Sequence, residues 1–137
     1  MLRIILATTL LSLTAATMAR ADPCEGRLPT RHGETFAGTV RYVGDGDSLC
    51  VGQTSNPDDW IEVRLADFDA PELREREGRR SRDILTRLTR GRQVTCTATR
   101  GRSGRVLSYD RVIATCRLGR QRLGDLLRTQ RAPEGGN

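Results

Sequence analysis

Three short segments carry side chains whose types and spacing could do chemistry. Asp45-Gly46-Asp47-Ser48 sets two carboxylates on either side of a glycine. Val63-Arg64-Leu65-Ala66-Asp67-Phe68-Asp69-Ala70-Pro71-Glu72 supplies an arginine and three more acids. Ser108-Tyr109-Asp110-Arg111 ends on a second arginine. Acids gathered in two loops can hold a hard divalent cation through oxygen ligands. Arginine can grip a phosphate with two parallel N–H donors, a geometry that lysine lacks. Each feature also has an ordinary structural use. Asp-Gly makes a good hairpin turn, and an Asp ahead of Ala-Pro can form an Asx turn.

The charge distribution adds weight to the chemical reading. All 23 basic residues are arginine. Residues 22–72 carry a net charge of −7, whereas residues 73–131 carry +12. Codon preference accounts for the lack of lysine but not for this placement. A basic half recruits phosphates and makes binding salt-dependent. Several function classes fall away. A mean hydropathy of −0.49 excludes a polytopic membrane protein. A single histidine, His32, excludes a zinc site built on several imidazoles and argues against a Ser-His triad. With five aromatic residues, extensive base stacking is not expected, and neither is much sequence specificity.

A chain of 137 residues is enough for one domain. Its start reads as a secretory signal peptide over residues 1–21: Arg3, an apolar run from Ile4 to about Leu13, then Ala19-Arg20-Ala21 before the cut. The run is too short to span a bilayer, which takes about 20 residues. The mature chain would begin at Asp22 and be secreted or periplasmic, with no membrane association. Export permits disulfides. Cys24, Cys50, Cys96 and Cys116 have no C-x-x-C spacing and allow three pairings.

The elements that must position the acids and arginines follow from pattern. Residues 22–35 read as an irregular leader. Phe36–Val43 and the segment from Ser48 form a hairpin about the Asp-Gly turn. Trp60–Leu65 alternates, with Ile61, Val63 and Leu65 on one face and Trp60, Glu62 and Arg64 on the other. Residues 75–90 read as a helix ending at Gly91, with Ile84, Leu85 and Leu88 on its apolar face. Arg92–Thr99 and Ser108–Leu118 read as two further strands, joined by a mobile loop rich in Gly and Arg. Leu123, Leu126 and Leu127 mark a short final helix, and 132–137 read as a disordered tail. Setting Cys96 opposite Cys116 puts Val94, Cys96 and Ala98 on one face with Val112, Ala114, Cys116 and Leu118. That consistent face pairs Cys96 with Cys116 and leaves Cys24 for Cys50. Strand-strand-strand-helix-strand-strand-helix suits a mainly β fold: a five-stranded OB-fold Greek-key barrel with one inserted helix and a short C-terminal helix, spanning residues 36–131.

In order and spacing, D-G-D-S at 45–48, R-L-A-D-F-D-A-P-E at 64–72 and Y-D-R at 109–111 resemble the staphylococcal, thermonuclease-like nuclease family. The resemblance runs from about Val40 to Leu127. It implies an enzyme that uses Ca²⁺ to hydrolyse phosphodiester bonds of DNA and RNA, single- or double-stranded; the chain is expected to be a monomer. It makes Asp47 and Asp69 the metal carboxylates, with the Ala70 carbonyl beside them. It makes Glu72 the general base, and Arg64 and Arg111 the phosphate clamp. Tyr109 would contact a base or sugar of the substrate. Three departures stand out. Asp110 occupies a position that is usually Gly, Ala70 one that is often Thr, and the chain stops before a further covering helix. The alternative is an exported OB-fold module that binds nucleic acid or another polyanion without cutting it.

Overall fold

Alternation and β-branched composition lead to strands wherever the sequence calls for them. The computed structural model describes residues 22–135. The signal-peptide reading of residues 1–21 lies outside the described residues. The chain runs β1 (Thr35–Asp45), β2 (Ser48–Gly52), β3 (Ile61–Leu65), α1 (Arg76–Thr89), β4 (Gln93–Ala98), β5 (Leu107–Ser108), β6 (Arg111–Leu118), β7 (Gln121–Arg122) and α2 (Leu123–Thr129). Neighbours follow the order β3-β2-β1-β4-β6, and β6 returns to pair with β3. That last pairing is parallel and sets Arg64 beside Ile113. The five strands therefore close into a barrel with OB topology, and α1 is inserted between β3 and β4. The two-residue strands β5 and β7 flank β6 as extra hairpin arms.

The barrel interior is the apolar face of each alternating strand. Val40, Leu49, Val51, Val63, Leu65, Val94 and Val112 are buried there, and α1 and α2 add Leu85, Leu123 and Leu127. Burying each such side chain is worth roughly 1.5–3 kcal/mol against leaving it exposed. Cys96 and Cys116 face each other across β4 and β6 and form a disulfide within this core. Cys24 is bonded to Cys50. Both pairings agree with the register reading.

Three local findings correct the sequence reading. First, Ser108–Leu118 is not one strand. It breaks at Tyr109-Asp110, where Ser108 pairs with Arg111 across a two-residue turn. Tyr109 takes a φ of 57°, the left-handed region, while Asp110 keeps negative φ. The unusual Asp110 is therefore not the strained position. Second, Glu62 is buried although the alternation turns it away from the core. The leader crosses that outer face. Its Cys24 is bonded to Cys50, which is the cross-strand neighbour of Glu62. Its Gly26 donates to the Trp60 carbonyl at 2.8 Å. Third, residues 132–135 are not a free tail. Ala132 is buried, the Pro133 carbonyl accepts from Ser81 Oγ at 2.5 Å, and Glu134 pairs with Arg128 at 2.8 Å.

Candidate functional site

The acidic turns meet at one end of the barrel because small residues let the backbones approach. Asp45 ends β1, Gly46 and Asp47 make the turn, and Ser48 opens β2. Gly46 is wedged between α1 and the loop after β3. A Cβ there would come within 2.5 Å of Ser81 Cβ and 2.6 Å of Ala70 Cβ. Gly78 serves the other side, since the start of α1 lies directly on the Glu72 carbonyl. The D-G-D turn, the 66–72 loop and the first turns of α1 therefore form one packed unit.

At its centre is Arg64. Nη1 donates to the carbonyls of Leu65 at 2.6 Å and Phe68 at 2.9 Å. Nη2 lies 2.6 Å from Asp69 Oδ1 and 3.2 Å from Asp47 Oδ2. One guanidinium thus bridges the two carboxylates. The Ala70 amide completes Asp47, donating to Oδ2 at 2.7 Å. Asp45 Oδ1 accepts from the Asp47 amide at 3.0 Å and from Ser48 Oγ at 2.7 Å. It orders the turn rather than facing outward.

Electrostatics separates the two turn carboxylates. Burial pushes Asp47 up to about 7, and the adjacent Asp45 charge adds to this; Arg64 offsets only part of it. Burial also raises Asp45. Its hydrogen bonds to Asp47 and Ser48, with the Arg111 charge, outweigh that and hold it below the ordinary value. Asp47 is therefore a carboxylate short of positive charge, in a turn whose other acid stays ionised.

The remaining sequence candidates fall around this centre. Arg111 is half-buried at the start of β6, and its charge reaches Asp45 and Glu62. Tyr109 is 94% exposed at the hairpin tip. Glu72 is exposed, and its carboxylate makes no hydrogen bond or ion pair with Asp47, Asp69 or Arg64. Ala70 brings its amide, not its carbonyl, to the carboxylates. Its carbonyl packs against Gly135, where a Cβ would sit 2.9 Å away. Among the described residues, no group of three or more His, Cys, Asp or Glu forms a metal-ligating set.

Two arginines escaped the sequence reading. Arg102, in the Gly- and Arg-rich loop between β4 and β5, places Nη2 3.1 Å from Asp69 Oδ2. Its only sequence signal is its place in that loop between Gly101 and Gly104. Arg102, Arg64, Asp69, Ser103 and Ser108 line a cleft of about 330 Å³. Arg128, on α2, donates to the Asp67 carbonyl at 2.6 Å and lies over the Phe68 ring at 5.7 Å. It braces the 66–72 loop from below. Gly135 N–H adds a bond to the Asp69 carbonyl at 2.8 Å. Asp67 turns its carboxylate inward, against Gly124 at the start of α2, with neither oxygen hydrogen-bonded.

Among the described residues, no helix is long and apolar enough to cross a membrane. The chain matches no protein-family model and no curated protein.

Proposed function

We propose that this chain is an exported, Ca²⁺-dependent phosphodiesterase of thermonuclease type that hydrolyses DNA and RNA with little sequence preference. The observation that carries the reading is the convergence of Asp47 and Asp69 on one Arg64 nitrogen, beside an arginine-lined cleft. The donor set is compatible with a hard cation. A positive group already bridges the two carboxylates, and Asp47 remains short of positive charge. Asp47 and Asp69 would hold Ca²⁺, with water oxygens completing the six to eight ligands it takes. Bound there, Ca²⁺ would supply Lewis-acid stabilisation of the phosphate oxygens.

The chain's own residues do the rest. Arg64 and Arg111 donate N–H bonds to the phosphate, and these strengthen as negative charge builds on its oxygens. The Leu65 and Phe68 carbonyls occupy Nη1 of Arg64 and fix the guanidinium, so the donors it would offer a phosphate are Nε and the Nη2 hydrogen that a cation on Asp47 would release. Glu72, exposed and next to the loop, is free to take a proton from the attacking water. The water oxygen bonds to phosphorus, one P–O ester bond breaks, and the leaving oxygen takes up a proton. Tyr109, fully presented at its hairpin tip, offers a ring to a base or sugar. The two disulfides suit an oxidising, extracytoplasmic compartment.

One observation favours a second reading, an OB module that binds polyanions without cutting them: the Glu72 carboxylate shares no hydrogen-bonded or ion-paired partner with Asp47 and Asp69. Degradation of DNA and RNA by the oxidised chain, with Ca²⁺ and with chelator, separates the two. Calcium-dependent cutting supports the enzyme. Salt-sensitive binding without cutting supports the module. Cutting that persists in chelator rejects the metal role. Glu72→Gln is expected to lower turnover by a factor of about 10²–10⁴ with binding retained, and near-normal turnover would remove Glu72 as the base.

A further inference from the structure

Asp69 is held by two arginines of opposite character. Arg64 takes Oδ1, its side chain is 21% exposed, and it is fixed by two carbonyls and a second carboxylate. Arg102 takes Oδ2, its side chain is 78% exposed, and among the described residues Asp69 is its one ion-pair partner. Arg102 projects from a tight loop whose backbone is closed by the Gly101 N–H to Arg105 carbonyl and Gly104 N–H to Gly101 carbonyl bonds, so its side chain rather than the loop is what can turn. Gly101 and Gly104 flank it, and Gly104 has a φ of +77°. An exposed pair of this kind contributes at most about a fivefold preference for the closed contact. The Asp69–Arg102 contact is therefore easily exchanged, while Asp69–Arg64 is part of the fold.

Resting on the nuclease reading above, we propose that Arg102 is an exchangeable counter-ion. It neutralises Asp69 Oδ2 until a divalent cation takes that oxygen, and it then turns into the adjoining cleft to meet a substrate phosphate. The cleft is suited to this use. Arg64 lines one wall, Ser103 and Ser108 add hydroxyls, and the released guanidinium adds a second positive fork. Cation and polyanion then tighten each other's binding, because the cation frees the arginine that the phosphate needs. By linkage the coupling is the same in both directions.

The test compares the unsubstituted chain with Arg102→Ala and Arg105→Ala. Arg105 lies on the same loop and makes no ion pair or hydrogen bond with Asp69, so it reports the loss of a nearby charge alone. Calorimetric titration with Ca²⁺, without and with a hydrolysis-resistant phosphorothioate oligonucleotide, gives both affinities and their coupling. With Ca²⁺ alone, Arg102→Ala is expected to bind about two- to fivefold tighter than the unsubstituted chain, and Arg105→Ala nearly the same as it. In Arg102→Ala the coupling to the oligonucleotide should shrink by a similar factor, and the log–log salt slope of oligonucleotide binding should fall by about one. If Arg102→Ala leaves the Ca²⁺ affinity and the coupling unchanged, or moves them no further than Arg105→Ala does, the exchange is refuted while the nuclease reading stands. If the unsubstituted chain binds no Ca²⁺, the metal reading fails and the exchange fails with it.

Discussion

Glu62 offers a direct test of the electrostatics, away from the carboxylate pair. It sits on β3, nearly buried under the leader, and burial pushes it up to about 7. A hydrogen bond with the Asp22 carboxylate and the charges of Asp110 and Asp22 add to the rise, and Arg111 opposes it. In the unfolded chain the same group ionises near its ordinary 4.5. Below that pH it is neutral in both states and costs nothing. Between there and about 7 the folded chain holds more protons, so stability falls as pH rises. Above 7 the penalty is complete. At about 1.4 kcal/mol per pH unit, the ceiling is about 3 kcal/mol. Because Asp22 and Asp110 share the interaction, the expected penalty is about 1–2 kcal/mol. Glu62→Gln keeps the shape and replaces the proton with a permanent amide donor towards Asp22. The substitution should therefore stabilise the protein by about 1–2 kcal/mol at pH 8 and leave it nearly unchanged at pH 4. Urea unfolding at both pH values measures this, on an oxidised chain with a short neutral extension before Asp22 so that no terminal ammonium joins the cluster. A Glu62→Gln chain no more stable than its parent at pH 8, or equally stabilised at both pH values, would refute the reasoning.

Asp47→Asn should abolish any Ca²⁺-induced rise in Tm and, in chelator at pH 8, raise Tm above that of the parent, because it removes a buried carboxylate pushed up to about 7. Replacing Cys96 and Cys116 together by Ala should cost about 3–4 kcal/mol in urea unfolding, the loop-closure value for a bridge of this span. The parent and the double mutant should converge under reducing conditions. Gly124→Ala would drive a methyl to within 2.5 Å of Asp67 Oδ2. It should cost about 1–3 kcal/mol and weaken Ca²⁺ binding by shifting the 66–72 loop, with both effects read by calorimetry.

The barrel was legible because period-2 alternation needs no tertiary information. β3 and β4 start and end within a residue of their expected bounds, and the Cys96–Cys116 register followed from face consistency alone. What was not legible depends on contacts distant in sequence. Glu62 reads as a solvated outward residue until the leader is known to cross it. The break at Tyr109 places positive φ on an aromatic residue, which no turn propensity announces. Residues 132–135 have tail composition, yet Ser81, Arg128 and Asp69 hold them across separations of 52, 6 and 66 positions. At the site, the carboxylate pair and Arg64 were visible as a motif. The second partner of Asp69 was not, because Arg102 is one arginine among many in its loop and only the fold selects it.

The division of charge along the chain also has a structural counterpart. The acidic turns belong to the first half, and the arginine loop and Arg111 to the second. Neither half can make the site alone. The 45–48 turn and the 66–72 loop bring several carboxylates together with Arg64 as their own cation, and Asp47 shows that this is not enough. The second half contributes Arg102 and Arg111, and it reaches the acids through one topological feature, the parallel pairing of β3 with β6 that closes the barrel. Val63, Arg64 and Leu65 lie beside Val112, Ile113 and Ala114 there. The loop before β6 folds back along that strand: Thr99 N–H donates to the Ile113 carbonyl and Ile113 N–H to the Val106 carbonyl, so the loop lies beside Arg64, the β3 partner of Ile113. Barrel closure and site assembly are thus one event. Any change that opens β3 from β6 must separate the carboxylates from Arg102 and Arg111 as it exposes the core.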